Sequence, residues 1–250
     1  MPPTDYPEIN HLLDVLLASL QDVLGDNLVG LYLYGSLVWG DFDIEISDID
    51  LLAALERDLT DVEATAIKHM HDTIAARFST WDNRIEVQYY SKLGLKTFKT
   101  QSRPMGNISP GEPFHMITAG PDWLMNWYFV QEHGLTLFGP PPATLIDRVT
   151  LDEFVQRARD DTVEWRNRMT RIQNVPGQSY AIMTMCRALY TIRFRQHVSK
   201  LKAVEWAASE FPEWAPLIKN AFIWRKNPDY GTANLEESTQ LVNFLIDQVG

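Results

Sequence analysis

The most constraining feature of this 250-residue chain is a pair of turns, each joined to an apolar, strand-like run. The first run, residues 28–34, ends in a Gly-Ser turn, and the second run, residues 51–55, directly follows Asp48 and Asp50. Side chains two positions apart on a strand point to the same side, so the two carboxylates face one spot. Their repulsion is relieved when a divalent cation binds between them. The segment therefore predicts two strands that share a metal site.

The turn Gly35-Ser36 predicts the other half of the same site. Glycine permits a tight turn, and the backbone N–H groups and the hydroxyl of such a turn can bind phosphate oxygens. Ordinary turn chemistry explains either motif when it is taken alone. Together, a cation site and a phosphate site predict the binding of a nucleoside triphosphate.

Glu86 is the third acidic candidate. It lies between two apolar residues in a strand-like segment, residues 84–90, where a buried carboxylate needs a partner. If this strand pairs beside that of Asp48 and Asp50, three carboxylates face one Mg²⁺, and one of them can accept a proton from an attacking hydroxyl. The alternative is a residue on the solvent face, and the sequence leaves both open.

The domain organisation follows from a linker, residues 139–142, which reads Gly-Pro-Pro-Pro. Before it, strand-like and helix-like segments alternate, and residues 99–113 have the composition of a loop. After it, apolar stripes predict helices only. We therefore predict an α+β fold, in which a catalytic domain with a mixed sheet flanked by helices (residues 1–145) precedes an all-α helical bundle (residues 146–250). The predicted helices are 8–24, 60–78, 121–134, 151–172, 178–194, 199–210, 212–224 and 235–249.

Charge and composition narrow the possible partners. The net charge is −11, and residues 1–100 hold 17 acidic and 7 basic side chains. Such a surface repels nucleic acid and favours a cationic substrate. One cysteine, Cys186, excludes an internal disulfide, and we see neither a membrane span nor a signal peptide. We expect a cytoplasmic protein that binds neither membrane nor nucleic acid; the oligomeric state is not fixed by the sequence, and a monomer is compatible with it.

A basic run marks the second domain. No acidic residue occurs from Trp165 to Val204. A solvated basic face is the usual explanation for such a run. Next to an acidic half that holds a triphosphate, these cations would instead neutralise phosphate charge, which predicts a site in a cleft between the domains. The basic residues are Arg166, Arg168, Arg171, Arg187, Arg193, Arg195, Lys200 and Lys202.

The spacing from Gly-Ser to Asp-x-Asp resembles the nucleotidyltransferase superfamily that includes DNA polymerase β. Three further segments, residues 131–140, 186–190 and 198–207, are similar to aminoglycoside adenylyltransferases of the streptomycin/spectinomycin type. The likeness covers most of residues 28–225. It implies an enzyme that uses ATP and Mg²⁺ to transfer AMP to a hydroxyl of a small cationic acceptor, an aminoglycoside or aminocyclitol antibiotic, and hence a role in antibiotic resistance.

The resemblance also implies roles for single residues. Asp48, Asp50 and Glu86 would be the metal ligands, and Glu86 would also be the general base. A core tryptophan is an equally good interpretation of Trp224. The residues implied in ATP binding are Gly35, Ser36, Ser47, Arg187, Lys200 and Trp224.

The chain departs from the family pattern at the acceptor. Members that modify streptomycin bind it through two residues. One is a tryptophan in the loop after the strand of the general base, and the other is an aspartate at the start of a helix of the second domain. The matching positions here fall near Pro104 and Gly177, so we expect spectinomycin to be favoured over streptomycin. The carboxylates that we expect to attract the acceptor are Glu112, Asp152, Glu153, Asp160, Asp161 and Glu164.

Two other functions stay open at this point. One is a nucleotidyltransferase that acts on a protein or a nucleotide, in a toxin–antitoxin or signalling system. The other is a catalytically silent protein that binds nucleotide without turnover, although the intact Ser36, Asp48, Asp50 and Glu86 argue against decay.

Overall fold

We describe residues 2–249 of the chain from a computed structural model. The chain divides into two compact units, residues 1–149 and 150–250. The first unit has a mixed sheet with helices against it, and in the second unit the described residues form helices without strands. The predicted α+β fold class is therefore confirmed.

The sheet of the first unit has six strands in the order β5-β4-β3-β2-β1-β6. The strands β2 and β3 run parallel, whereas every other neighbouring pair is antiparallel. The parallel register sets Asp50 opposite Glu86. The strands are β1 (Leu28–Tyr34), β2 (Ile49–Leu55), β3 (Ile85–Ser91), β4 (Arg103–Ser109), β5 (Glu112–Ala119) and β6 (Leu135–Phe138).

Among the described residues of the first unit, three helices lie close to their predicted positions, and three short helices were not predicted. Thr60 caps the third helix in a capping box, in which its hydroxyl accepts from the Glu63 N–H and the Glu63 carboxylate accepts from the Thr60 N–H. This reciprocal pairing fixes the start of the helix. The helices are α1 (Pro7–Leu24), α2 (Ser36–Trp39), α3 (Asp61–Arg77), α4 (Lys92–Thr97), α5 (Leu124–His133) and α6 (Pro142–Leu145).

Alternation along the strands decides which side chains face the core. Leu51 and Val87 belong to a buried apolar cluster that also contains the leucines of α1 and Ile67 of α3. Because successive strand residues point to opposite faces, Asp50 and Glu86 emerge on the other face of the sheet. The apolar core therefore fixes the side on which the acidic residues meet.

The prediction of a loop over residues 99–113 is wrong. Most of this segment forms β4 and the start of β5, which pair as an antiparallel hairpin. Gly106 is buried in β4, where a Cβ atom would lie 2.9 Å from the Phe114 ring, and Gly111 makes the turn with a φ of +81°. Glycine thus serves here as a strand residue under an aromatic ring, a tertiary requirement that composition alone does not reveal.

Residues 150–249 form five helices that enclose one apolar cluster. The helix that begins at Val175 starts a few residues before its predicted start, and the helix that begins at Ala215 starts after its own. No helix within residues 2–249 is both long and apolar enough to span a membrane. The helices are α7 (Leu151–Met169), α8 (Val175–Phe194), α9 (Lys200–Glu210), α10 (Ala215–Trp224) and α11 (Leu235–Asp247).

Candidate metal and nucleotide site

Three predicted carboxylates converge at the start of the parallel strands. Asp48, Asp50 and Glu86 each offer one oxygen, and these oxygens lie within 4.8 Å of one another. Asp48 directly precedes β2, whereas Asp50 and Glu86 are the second residues of β2 and β3. All three side chains are half-buried. The structure thus places Glu86 with the two aspartates, and not alone on a solvent face.

The acidic triad Asp48, Asp50 and Glu86 fits a hard divalent cation. Carboxylate oxygens are the ligands that Mg²⁺ prefers, at about 2.1 Å, so two oxygens on one ion lie at most about 4.2 Å apart. A small side-chain rotation brings oxygens within 4.8 Å of one another to that separation. The set contains no sulfur or nitrogen, which softer metals favour. The donor chemistry and spacing therefore suit Mg²⁺.

Gly35 closes one side of this triad. The end of β1 pairs with β2 so that Tyr34 lies opposite Asp50, and Gly35 follows with a φ of +72°. A Cβ atom at this position would lie 1.9 Å from Asp50 Oδ2. Only glycine therefore meets both the backbone conformation and the close approach of the carboxylate.

Ser36 opens the four-residue helix α2 beside the triad. The Gly35 carbonyl accepts hydrogen bonds from Val38 N at 3.1 Å and Trp39 N at 3.3 Å, which fixes the turn. The first N–H groups of a helix have no acceptor within that helix. Ser36 is half-buried, and with these N–H groups it has the donors expected of a phosphate contact.

Ser47 is placed differently from its predicted role. Its side chain is 1% exposed, and its hydroxyl accepts a hydrogen bond from Asp43 N at 3.0 Å. This contact ties the loop that leads into β2. The implied phosphate contact would require the buried hydroxyl to become accessible, so the structure favours a structural role.

Arg84 holds this loop, and the sequence reasoning missed it. Its guanidinium donates to the carbonyls of Ser47 (3.0 Å from Nε) and Ile44 (2.9 Å), and its own carbonyl accepts from Ile49 N at 2.8 Å. The guanidinium also lies 4.4 Å from the Trp81 ring centre. Burial lowers the pKa of Arg84, and the Asp48 carboxylate opposes that shift. One side chain thus links the Asp48 loop to the strand of Glu86.

Gln88 and Tyr34 are two further residues that sequence reasoning missed. Gln88 Nε2 donates to Glu86 Oε1 at 2.9 Å, and the Tyr34 hydroxyl donates to Gln88 Oε1 at 2.7 Å. Burial raises the pKa of Tyr34 well above its usual range, and Glu86 and Asp50 raise it further. The spacing of Gln88, two residues after Glu86 on one strand face, is the signal that could have revealed this contact.

The residues implied by the resemblance in the second unit differ in exposure. Arg187 on α8 and Lys200 at the start of α9 are half-buried, and Lys200 Nζ lies 5.9 Å from the Tyr180 ring centre. Trp224 is 1% exposed within the apolar cluster, and its Nε1 donates to the Tyr230 carbonyl at 2.7 Å. A ring with so little free surface cannot stack on a nucleotide, so the structure supports the core interpretation of Trp224.

Ion pairs within the second unit change the interpretation of its charges. Four cations of the basic run are paired with carboxylates of the same unit, and Arg157 also contacts Asp161. Three of the six carboxylates that we expected to attract an acceptor, Asp152, Asp161 and Glu164, are therefore paired with arginines. The four pairs are Arg166–Asp247, Arg168–Glu164, Arg193–Glu210 and Arg195–Asp152.

The close approach at Gly35 predicts a selective loss of cation binding. Gly35→Ala should displace the Asp50 carboxylate and weaken Mn²⁺ binding by about tenfold or more, because a charged ligand is lost. Gly40→Ala is the matched control, since Gly40 has a φ of +74° but nothing within 4 Å of its Cβ position. It should cost about 1–2 kcal/mol of folding free energy and leave Mn²⁺ affinity unchanged. Titration followed by electron paramagnetic resonance compares the two, and equal affinities would contradict the assignment.

Comparisons with known proteins find related sequences. A family model for the aminoglycoside adenylyltransferase C-terminal domain matches residues 144–248. Curated spectinomycin 9-adenylyltransferases of Staphylococcus aureus are 24% identical over 208 residues, which cover 79% of this chain and 77% of theirs.

A solved structure has the same fold. It is a spectinomycin adenyltransferase from Enterococcus faecialis with ATP and spectinomycin, and it matches with a TM-score of 0.75 at 16% identity, over 96% of this chain and 98% of that one. The resemblance seen in the sequence is therefore confirmed: residues 144–248 match the C-terminal domain of aminoglycoside adenylyltransferases, and the relatives support an adenylyltransferase enzyme.

Proposed function

We propose that this enzyme transfers AMP from ATP to a hydroxyl of the aminocyclitol spectinomycin, in a Mg²⁺-dependent reaction that releases pyrophosphate. The observation that supports it best is the acidic triad, with oxygens within 4.8 Å of one another, directly beside Gly35 and Ser36. The acceptor class is supported by the relatives named above, which are spectinomycin adenylyltransferases.

The reaction follows from the roles that the side chains can take. The Glu86 carboxylate accepts the proton of the acceptor hydroxyl, and the hydroxyl oxygen attacks the α-phosphorus of ATP. A phosphorus–oxygen bond to that oxygen forms as the bond to the β-phosphate bridge breaks, and pyrophosphate leaves with the bonding electrons. Asp48 and Asp50 would hold Mg²⁺, which would offset negative charge on the phosphates. Glu86 returns its proton to solvent after the transfer.

Phosphate binding requires positive charge that the first unit lacks. Residues 1–100 hold only 7 basic side chains against 17 acidic ones. We assign Ser36 and the first N–H groups of α2 to the phosphates. We assign Arg187 and Lys200 to the triphosphate, because the family resemblance implies this role and both lie in the basic run. Arginine and lysine bind phosphate through charge-assisted hydrogen bonds.

The preference for spectinomycin rests on two positions. Pro104 is an exposed residue of β4 and offers no indole for stacking. Gly177 lies in the first turn of α8, where its N–H donates to the Asn174 cap at 2.8 Å. A Cβ atom there would lie 2.8 Å from Asn174 Oδ1 and 2.9 Å from Ile172 Cγ2, so the cap disfavours an aspartate. A site without these polar partners discriminates against the guanidinium groups of streptomycin.

The acceptor preference can be measured directly. With ATP and Mg²⁺, we expect an adenylylated spectinomycin and one equivalent of pyrophosphate, with streptomycin modified at least about tenfold more slowly because its cationic groups lack partners. Mass spectrometry of the product and a coupled pyrophosphate assay provide the measurement. Faster modification of streptomycin would contradict the acceptor assignment. Absence of product with every hydroxylated cation tested would contradict the proposed function.

The triad predicts two distinct losses. Asp50→Asn should abolish turnover and Mn²⁺ binding together, because it removes a charged metal ligand. Glu86→Gln should lower kcat by about 10² to 10⁴, the range for a general base, with a much smaller change in ATP affinity. Circular dichroism establishes that both variants are folded. Near-normal kcat in the folded Glu86 variant would exclude Glu86 as the base.

The second unit's cations predict a loss in ATP affinity. Arg187→Ala and Lys200→Ala should each weaken ATP binding by about 1.5–3 kcal/mol, as expected for a charge-assisted hydrogen bond, whereas acceptor binding should change little. Arg171→Ala and Lys202→Ala are matched controls, since both are exposed cations of the same run. Isothermal titration calorimetry separates the groups. Equal effects from all four variants would mean that the run acts only through its overall charge.

A further inference from the structure

We infer that Gln88 is a positioning residue, which holds the Glu86 carboxylate in the orientation in which it accepts the acceptor proton. The inference rests on the proposed function for its catalytic consequence. Its structural part, the orientation of one carboxylate, can be tested without any substrate.

The Gln88 side chain is bound at both ends of its amide. Gln88 is 0% exposed; its Nε2 donates to Glu86 Oε1 at 2.9 Å and to Asn107 Oδ1 at 3.3 Å. Its Oε1 accepts from the Tyr34 hydroxyl at 2.7 Å. Both amide hydrogens and one carbonyl lone pair are therefore used. Because Gln88 is fully buried, it acts through Glu86 and does not contact the reacting atoms.

Only one orientation of the amide satisfies these partners. Rotation by half a turn would set the Gln88 carbonyl oxygen against the Glu86 carboxylate and the Asn107 carbonyl, which are acceptors. It would also leave the Tyr34 hydroxyl without its acceptor. Buried polar groups without partners are costly, so the network keeps the N–H directed at Glu86.

Glu86 needs such a contact because its neighbours repel it. The carboxylates of Asp48 and Asp50 lie within 4.8 Å, and without a cation this like charge favours rotation of Glu86 away from them. A hydrogen bond from a neutral donor to a carboxylate is stronger than one between neutral groups. Gln88 thus fixes the position of one Glu86 oxygen, Oε1, and with it the orientation of the carboxylate.

The first test is structural. In the crystal structure of Gln88→Met, we expect the Glu86 carboxylate to leave its place beside Asp50 or to occupy several rotamers, because methionine fills the space without donating a hydrogen bond. A single Glu86 conformer, unchanged from wild type, would overturn the inference. This result does not depend on which acceptor the enzyme uses.

The second test is kinetic. Gln88→Met should lower kcat by about 10- to 100-fold, as expected when a hydrogen bond to a charged group is lost, with KM for ATP within about twofold. In a Glu86→Gln background the same change should cause almost no further loss, because Gln88 acts through Glu86. Equal losses in both backgrounds would show a merely structural role and overturn the inference.

A pair of tyrosine variants keeps the test decisive if Gln88→Met folds poorly. Tyr34→Phe deletes the hydroxyl that holds the Gln88 amide, and should lower kcat by about 3- to 10-fold, part of the effect of losing the full contact. Tyr89→Phe deletes an equally buried hydroxyl on the opposite face of the sheet, 2.6 Å from His71 Nε2, and should leave kcat unchanged. Equal kcat values for the two variants would overturn the inference.

Failure of the proposed function looks different from failure of this inference. If wild-type enzyme adenylylates no acceptor, the function is wrong, and the Glu86 orientation in the Gln88→Met crystal still decides the positioning role. If wild type is active and Gln88→Met retains full kcat, the function stands and the positioning role is overturned.

Discussion

The site depends on one constraint, the repulsion among three carboxylates. The sheet fixes these side chains close together and prevents them from moving apart. The parallel register of β2 and β3 sets Asp50 opposite Glu86, and the alternate residues Leu51 and Val87 are 0% exposed in the core on the other face. Moving the carboxylates apart would therefore break an apolar core whose residues each contribute about 1.5–3 kcal/mol. Hydrogen-bond donors offset part of the repulsion, and a cation bound by the carboxylates would offset the rest.

The surrounding residues satisfy that requirement from different directions. Gly35 removes the side chain that would displace the Asp50 carboxylate, Arg84 ties the loop before Asp48 to β3, and Gln88 donates to Glu86. None of the three needs to touch a substrate. Gly35 contributes because it has no Cβ atom, and Arg84 contributes a planar guanidinium that reaches two carbonyls. Gln88 contributes a neutral N–H. The positions of the three carboxylates of the acidic triad thus depend on the residues that support them.

The sequence predicted what depends on local pattern. The Gly-Ser turn, the two aspartates and the helices follow from short spacings and apolar stripes, which neighbouring residues decide. The β4–β5 hairpin was not predicted, because glycines such as Gly106 and Gly111 are typical of turns. In the structure, Gly106 is instead a strand residue on which Phe114 packs. Gln88 was missed, and the burial of Trp224 was left undecided, for the same reason. The spacing from Glu86 to Gln88 is visible on one strand, but Tyr34 and Asn107, which fix the Gln88 amide, lie on other strands. The apolar cluster that buries Trp224 is likewise drawn from several helices.

The net charge of the chain and its individual charged residues affect a cationic acceptor in different ways. Ion pairing of Asp152, Asp161 and Glu164 with arginines does not alter the net charge of −11, so the field that attracts a cationic acceptor persists, screened beyond about 8–10 Å at physiological salt. A carboxylate that is already paired with an arginine, however, gains little from a second cation. Attraction to the enzyme and choice among acceptors therefore depend on different residues. Under the proposed function, positions such as Pro104 and Gly177 would set which cationic acceptor finds a partner.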